Sequence, residues 1–269
     1  MVGKMKFGSI GTGNMGGAIA QAISKTLQPG EQALSNLPAC VAEDLAKKIG
    51  AVATTNADIA ENAKYIVLGV KPQILPEVTE EIKGILAARK DRFVIISMAA
   101  GIKTEKIQDL LGAKYPVVRI MPNLPVSVGK GVIMITKTPE VTDEEFTEVK
   151  GAFREAGLVD EMPEHLIDAG TAVTGCGPAY MFMAIEAIAD GAVACGIPRA
   201  KALQYATALM EGSAVYLKET GKHPGELKDA VCSPGGSTIK GVASLEEDGF
   251  RSALIKAVEV SYDASKKLG

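Results

Sequence analysis

Histidine is nearly absent from the sequence, which holds only His165 and His223 in 269 residues. His165 follows Glu164 and His223 precedes Pro224, both near helix starts. Neither joins an identifiable Ser-His-Asp arrangement, so capping or surface roles are expected. Cysteine is scarce too. Cys40, Cys176, Cys195 and Cys232 lie far apart with no C-x-x-C spacing, which argues against a zinc site or a disulfide frame and suits free thiols in a reducing cytoplasm. There is no excess of positive charge. Lys and Arg (29) nearly balance Asp and Glu (32), and a pI of about 5.6 leaves no basic surface for nucleic acid or anionic lipid. The opening residues, MVGKMKFGSIG, lack the apolar run of a signal peptide, so a cytoplasmic location is expected. One apolar run, residues 179–197, raises the question of a membrane. Glu186 and Asp190 sit one turn apart within it, however, and a buried packing helix is expected instead.

What is present is ample apolar material, 47% of residues, enough for a substantial core. In the first part of the chain the β-rich runs MKFGSI, QALSNL, YIVLGV, FVIISM, PVVRIM and GVIMIT alternate with amphipathic stretches. That rhythm belongs to a mostly parallel sheet covered by helices, an α/β fold. Thr142 is expected to open the last helix of this half, with Glu145 completing a capping box, and a short strand LVDEM follows. After Met162 only helical patterns remain, punctuated at Gly177-Pro178, Gly196-Ile197-Pro198, His223-Pro224 and Pro234-Gly235-Gly236. The expected division is residues 1–162 for the α/β domain and 163–269 for an all-helical one.

Between the strand KFGSI and the helical GAIAQAISK stands Gly11-Thr12-Gly13-Asn14-Met15-Gly16, a G-x-G-x-x-G in the context that dinucleotide binding requires. Gly11 suits a tight turn, Gly13 the approach of a pyrophosphate, and Gly16 the packing of helix on strand. The helix-end N–H groups then face the anion. About twenty residues on, where an NAD site usually carries an acid, the strand ends LSNLP. Ser35 and Asn36 can hydrogen-bond there without repelling a 2′-phosphate, so the sequence leans to NADP, although no Arg stands at this strand end. Later strands end in loops carrying Val70, Lys71 and Pro72, then Met98, Ala99 and Ala100, then Pro122 and Asn123. Small or proline-stiffened residues there let a flat nicotinamide ring lie against backbone. Lys71 also reads as a solvated loop cation. A second glycine turn, SPGGST, opens another helix, where the N–H groups of Gly235, Gly236, Ser237 and Thr238 form a second anion nest flanked by the Ser233 hydroxyl. Two anion sites imply a phosphate-bearing cofactor and a separate acidic substrate. A well-capped helix explains the second turn almost as well.

The stretch DAVCSPGGSTIKGVASLEE resembles the signature of the pyrroline-5-carboxylate reductases, and IGTGNMGGAI, VKPQ, AAGI, RIMPNLP, GCGPAYMF and HPGELKD resemble that family in order and spacing. The resemblance covers essentially the whole chain. It implies an N-terminal Rossmann domain and a C-terminal all-helical dimerisation domain, assembled as a homodimer or a larger ring of dimers. It also implies NADPH-dependent reduction of 1-pyrroline-5-carboxylate to L-proline in the last step of proline biosynthesis, with NADH as an alternative donor. Carried over, Gly11, Thr12, Gly13, Asn14, Met15, Ser35, Asn36, Asn56, Val70, Lys71, Pro72, Met98, Ala99 and Ala100 would touch the dinucleotide. Ser233 to Thr238 would hold the substrate carboxylate and ring nitrogen, with Thr238 as the catalytic donor to that nitrogen. Two positions depart from the family: Cys176 replaces the Ser of GSGPAY, and Leu37 replaces the Arg that often follows Asn36 in bacterial members.

The chemistry implied agrees with what the sequence lacks. Reducing a cyclic imine needs a hydride on carbon and a proton on nitrogen, but no nucleophile, metal or strong base. A β-hydroxyacid dehydrogenase would need a catalytic Lys on its central helix, and GCGPAYMFMAIEAIADGAVACG contains none. A dinucleotide sensor without turnover is the other alternative. Glu186 and Asp190 are candidate acids whose mid-helix position favours packing or interface bonds. The apolar run 179–197 and the helix 250–267 offer more apolar surface than one small helical domain can cover, so a dimer is expected.

Overall fold

The computed structural model describes residues 5–266. Its first half alternates β1 (Phe7–Ile10), α1 (Asn14–Ser24), β2 (Gln32–Ser35), α2 (Ala39–Ile49), β3 (Val52–Ala53), α3 (Asn56–Asn62), β4 (Tyr65–Leu68), α4 (Leu75–Ala88), β5 (Val94–Ser97), α5 (Thr104–Leu111), β6 (Val117–Pro122), β7 (Gly131–Lys137), α6 (Asp143–Ala152) and β8 (Gly157–Glu161). These strands form one sheet in the order β3-β2-β1-β4-β5-β6-β7-β8. Every pairing is parallel except β6 with β7.

The period-two geometry of a strand explains the layering. On β4, Tyr65 and Val67 join a cluster with Ile19 and Ile23 of α1 and Phe146 and Val149 of α6. Ile66 and Leu68, pointing the other way, join Ile59 of α3, Ile82 and Leu86 of α4, and Ile107 of α5. Both faces are therefore covered, which is why the central strands read as continuous apolar runs rather than alternating ones. Thr142 caps α6 through the expected capping box with Glu145. The strand β3 is not evident in the sequence. Its two residues are exposed and lie at the sheet edge, paired with Ala33 and Leu34, too short for a pattern to show.

From Glu164 on, the described residues are helical: α7 (Glu164–Thr174), α8 (Gly177–Ala194), α9 (Arg199–Thr220), α10 (Pro224–Ala230), α11 (Ser237–Glu247) and α12 (Phe250–Ser265). Each break falls at a Gly or Pro signal, with Pro198 as the N-cap of α9 and Pro224 opening α10. Lys267, placed by the sequence reading at the end of the last helix, lies outside the described residues. Contacts divide the chain into two compact units, 5–175 with 262–266 and 176–261. Helix α7 thus packs with the sheet: buried Arg119 of β6 reaches Glu164 (3.4 Å) and Asp168 (3.1 Å), and Glu164 accepts from the Thr104 N–H (2.7 Å).

The expectation of a buried helix over 179–197 fails within one chain. The core of the helical unit is small, formed by Ala189 of α8 with Ala202 and Ala206 of α9. Only Ala189 of α8 is buried, while Phe182 is 56% and Met183 69% exposed. Helices α10, α11 and α12 have no buried residue. A layer joined through alanines has too few neighbours to cover its larger apolar side chains. By length and composition alone, Glu164–Ala194 could cross a membrane.

Candidate functional site

The strand order reverses at β1, whose neighbours β2 and β4 follow it through α1 on one side and later crossovers on the other. In an open parallel sheet, that switch point leaves a crevice beyond the strand C-termini. The chain leaves β1 through Gly11, whose φ of +90° lies in the region open to glycine. A Cβ on Gly16 would stand 2.1 Å from the Gly11 carbonyl oxygen, and one on Gly69 would stand 2.3 Å from the same atom. The three glycines let the α1 start, the β1 end and the β4 end converge. The Gly11 N–H donates to the Ser35 carbonyl (2.8 Å), the Gly69 N–H to the Ile10 carbonyl (2.8 Å), and the Thr12 N–H to Asn36 Oδ1 (2.9 Å).

Gly13 is different. It is the N-cap of α1, it has an ordinary φ of −64°, and a Cβ there would meet nothing within 4 Å. No side chain caps the α1 amides, so this helix end presents unsatisfied, positively polarised N–H groups to open space. Beside it, Thr12 is buried with its Oγ1 unpartnered. A glycine cradle shaped by the protein's own packing, opening onto uncapped amides, fits the pyrophosphate of a dinucleotide. Asn14, Met15 and Gly16 form the first turn of α1 behind that cradle.

The remaining cofactor candidates gather at the C-terminal strand ends in distinct ways. Ser35 closes β2 and its hydroxyl donates to Asn56 Oδ1 (2.7 Å), while Asn56 Nδ2 donates to Glu81 of α4 (2.7 Å). Asn36 braces the glycine turn, its oxygen on Thr12 and its Nδ2 on the Pro38 carbonyl (3.2 Å). Leu37 projects into solvent at 95% exposure. Val70, Lys71 and Pro72 follow β4; the Lys71 carbonyl accepts from Ile74 and Leu75, while its side chain is exposed. Met98, Ala99 and Ala100 follow β5, the first two buried and Ala100 half-buried. Asn123 does not line the cleft as the sequence suggested. It is buried, donating to the Thr174 carbonyl (2.9 Å) and accepting from the Val132 N–H (2.8 Å), so it ties β7 and α7 to the end of β6.

In the helical unit, Ser233 to Thr238 form one compact turn. Gly235 has a φ of +68°, and the Gly236 N–H donates to the Ser233 carbonyl (3.0 Å). A Cβ on Gly236 would stand 2.4 Å from Ser233 Oγ, so this glycine belongs to the turn's own packing. Gly236 is the N-cap of α11, again with no side-chain cap. Ser233, Gly235, Ser237 and Thr238 are exposed, and among the described residues no hydrogen bond engages the Ser237 or Thr238 hydroxyl. The plain capped-helix explanation therefore lacks its cap, and the amides and hydroxyls stand ready for an external anion. His223 caps α10, accepting from the Gly225 N–H through Nδ1 (3.1 Å), and His165 is exposed at the start of α7. Glu186 and Asp190 are exposed too, with Asp190 paired to Arg199.

Two residues of the first site escaped the sequence reading. Gly69 was masked because it ends an apolar run as any strand-terminal glycine does. Glu81 had no signal at all, being an acid on a surface helix 25 residues beyond its partner Asn56.

Comparison with known proteins gives two family matches. Residues 164–268 match the family described as pyrroline-5-carboxylate reductase dimerisation, and residues 6–101 match NADP oxidoreductase, coenzyme F420-dependent. The chain is 39% identical over 268 residues to a pyrroline-5-carboxylate reductase of Synechocystis sp., covering 98% of each. Among solved structures, it is similar to a pyrroline-5-carboxylate reductase from Coxiella burnetii (TM-score 0.91, 31% identity, 99% of each chain covered). It is also similar to the Plasmodium falciparum pyrroline carboxylate reductase solved with NADP bound (TM-score 0.87, 29% identity, 100% of this chain and 99% of that one covered).

Proposed function

The chain belongs to the pyrroline-5-carboxylate reductase family, and from that membership we propose that it reduces 1-pyrroline-5-carboxylate to L-proline with NADPH, the last step of proline biosynthesis. The observation that carries this reading is the pair of uncapped glycine-rich helix starts, one in each unit. Bound NADPH supplies the hydride for the imine carbon. The chain's own task is to hold, orient and protonate. The α1 amides and the open face of Gly13 receive the pyrophosphate, and Ser35, Asn36 and Asn56 stand at the ribose end. The loops at Val70 to Pro72 and Met98 to Ala100 offer backbone to the nicotinamide.

The turn from Ser233 to Thr238 takes the substrate carboxylate on the α11 amides. Thr238 directs its hydroxyl to the ring nitrogen. A hydroxyl is too weak an acid to protonate an imine alone, so it orients an already protonated nitrogen or relays a proton from water. Most of the rate enhancement then comes from fixing the imine carbon in line for transfer.

In this reading residues 1–162 bind the dinucleotide, while 163–269 bind the substrate and dimerise. The match to a dimerisation family and the exposed Phe182 and Met183 of α8 support a second copy of the chain, rather than a bilayer, as the cover for that helix. A homodimer, or a ring of such dimers, in the cytoplasm is the assembly proposed. The test is direct. Purified protein should consume NADPH when the imine is added and yield equimolar proline; a chain that binds NADPH and turns over no imine would be a dinucleotide-binding relative without this activity.

A further inference from the structure

Glu81 belongs to no motif, yet it governs the hydrogen bonds at the end of β2. Its Oε2 accepts from Asn56 Nδ2 at 2.7 Å, and Asn56 Oδ1 accepts from Ser35 Oγ at 2.7 Å. A carboxylate only accepts, so Asn56 must present its NH2 group to Glu81. The amide oxygen is thereby turned to Ser35, whose hydroxyl must donate. One charge thus sets the direction of the whole chain, and it leaves Ser35 with lone pairs alone to offer a ligand.

Ser35 ends the strand beside which a Rossmann fold seats the adenosine ribose. A ribose 2′-hydroxyl can donate to a lone pair on Ser35. A 2′-phosphate, with acceptors only, cannot, and it also meets the negative charge of Glu81 two hydrogen bonds away. Leu37, next in sequence to Asn36, is apolar and in solvent, and no ion pair engages Glu81 among the described residues. We infer that Glu81 is a specificity-determining positioning residue that acts through Asn56 and Ser35 to narrow the margin by which NADPH is bound over NADH. The inference rests on the cofactor reading of the first glycine turn and is independent of the imine chemistry.

Glu81→Gln is the discriminating variant. A glutamine can point its own NH2 at Asn56, which lets the Asn56 amide turn over and frees the Ser35 hydroxyl to donate to phosphate. Glu81→Ala removes the charge without supplying a donor. Calorimetric titration of the full-length protein with NADPH and with NADH, without substrate, reads the effect. NADPH should bind roughly three- to tenfold more tightly to Glu81→Gln, the scale of one exposed charge contact, with NADH affinity unchanged or lower. Glu81→Ala should move the ratio in the same direction by less. Adenosine 2′,5′-bisphosphate against AMP should repeat the pattern, locating it at the ribose. If both variants keep the parental NADPH-to-NADH ratio, the inference is overturned. If the parental protein binds neither nucleotide, the cofactor reading fails and the inference with it.

Discussion

The two glycine-rich helix starts present the same backbone amides but are held by different means. At the first, Gly16 and Gly69 press on the Gly11 carbonyl, Thr12 is buried, and Asn36 ties the loop to β2. The sheet shapes this turn before any ligand arrives. At the second, one contact between Gly236 and Ser233 closes the turn, and most of its residues are exposed on helices with no buried residue of their own. A tightly packed turn and an open one thus occur in the same chain. The difference shows that the same local device can be fixed by a core in one place and left exposed in another.

The sharpest way to break that comparison is Gly16→Ala. Its Cβ would lie 2.1 Å from backbone that cannot retreat, so a loss of about 3 kcal/mol of stability is expected. Calorimetry should register this as a fall in Tm of roughly 6–12 °C. Next is Thr238→Ala, which should lower kcat/KM for the imine about ten- to hundredfold, the worth of one hydrogen bond to a charged nitrogen. NADPH affinity and Tm should stay near the parental values. Parental turnover in a folded Thr238→Ala protein would reduce Thr238 to a helix-start residue.

Gly13→Val sharpens the contrast within the first turn. A Cβ there meets nothing within 4 Å, so the cofactor-free Tm should fall far less than in Gly16→Ala, by no more than the loss of a favourable N-cap residue, while NADPH binds about tenfold more weakly. A Tm collapse there would mean that Gly13, like Gly16, serves packing rather than the ligand.

Smallest at neutral pH, because it appears only in acid, is a pH sensitivity of the sheet unit. Burial pushes the Glu148 carboxyl up, but hydrogen bonds from Lys6, Lys64 and Tyr65 outweigh it and hold it down at about 2, against an ordinary 4.5. The Arg92 hydrogen bond holds Glu145 at about 2 as well, against the opposing effect of burial. Groups with lowered folded values stabilise fully above about 4.5, and that contribution is lost as pH falls toward 2. Urea midpoints measured across that range should drop, and Glu148→Gln should flatten the slope. An unchanged slope would remove Glu148 from the account.

Much of the fold was legible because its signals are local. Central strands buried on both faces read as apolar runs, Thr142 and Glu145 stand three residues apart, and Pro198 and Pro224 mark helix starts wherever they fall. Asn123 misled because a polar residue after a strand looks like a ligand group until its partners Val132 and Thr174 are known. The apolar α8 misled in the opposite way: composition reports that a surface will be covered, not which chain covers it.

By itself the sequence determined that the chain would build a doubly covered, mostly parallel sheet followed by helices, with two glycine-rich helix starts. Periodicity, capping and glycine spacing are properties of neighbouring residues, and local physics suffices to read them. Only the tertiary structure decided which glycines serve packing and which leaves space for a ligand. It alone showed that Asn36 braces a turn, and that Glu81 orients Asn56 from 25 residues away. Those outcomes depend on which atoms meet through space once the sheet has closed, and no local pattern carries that information.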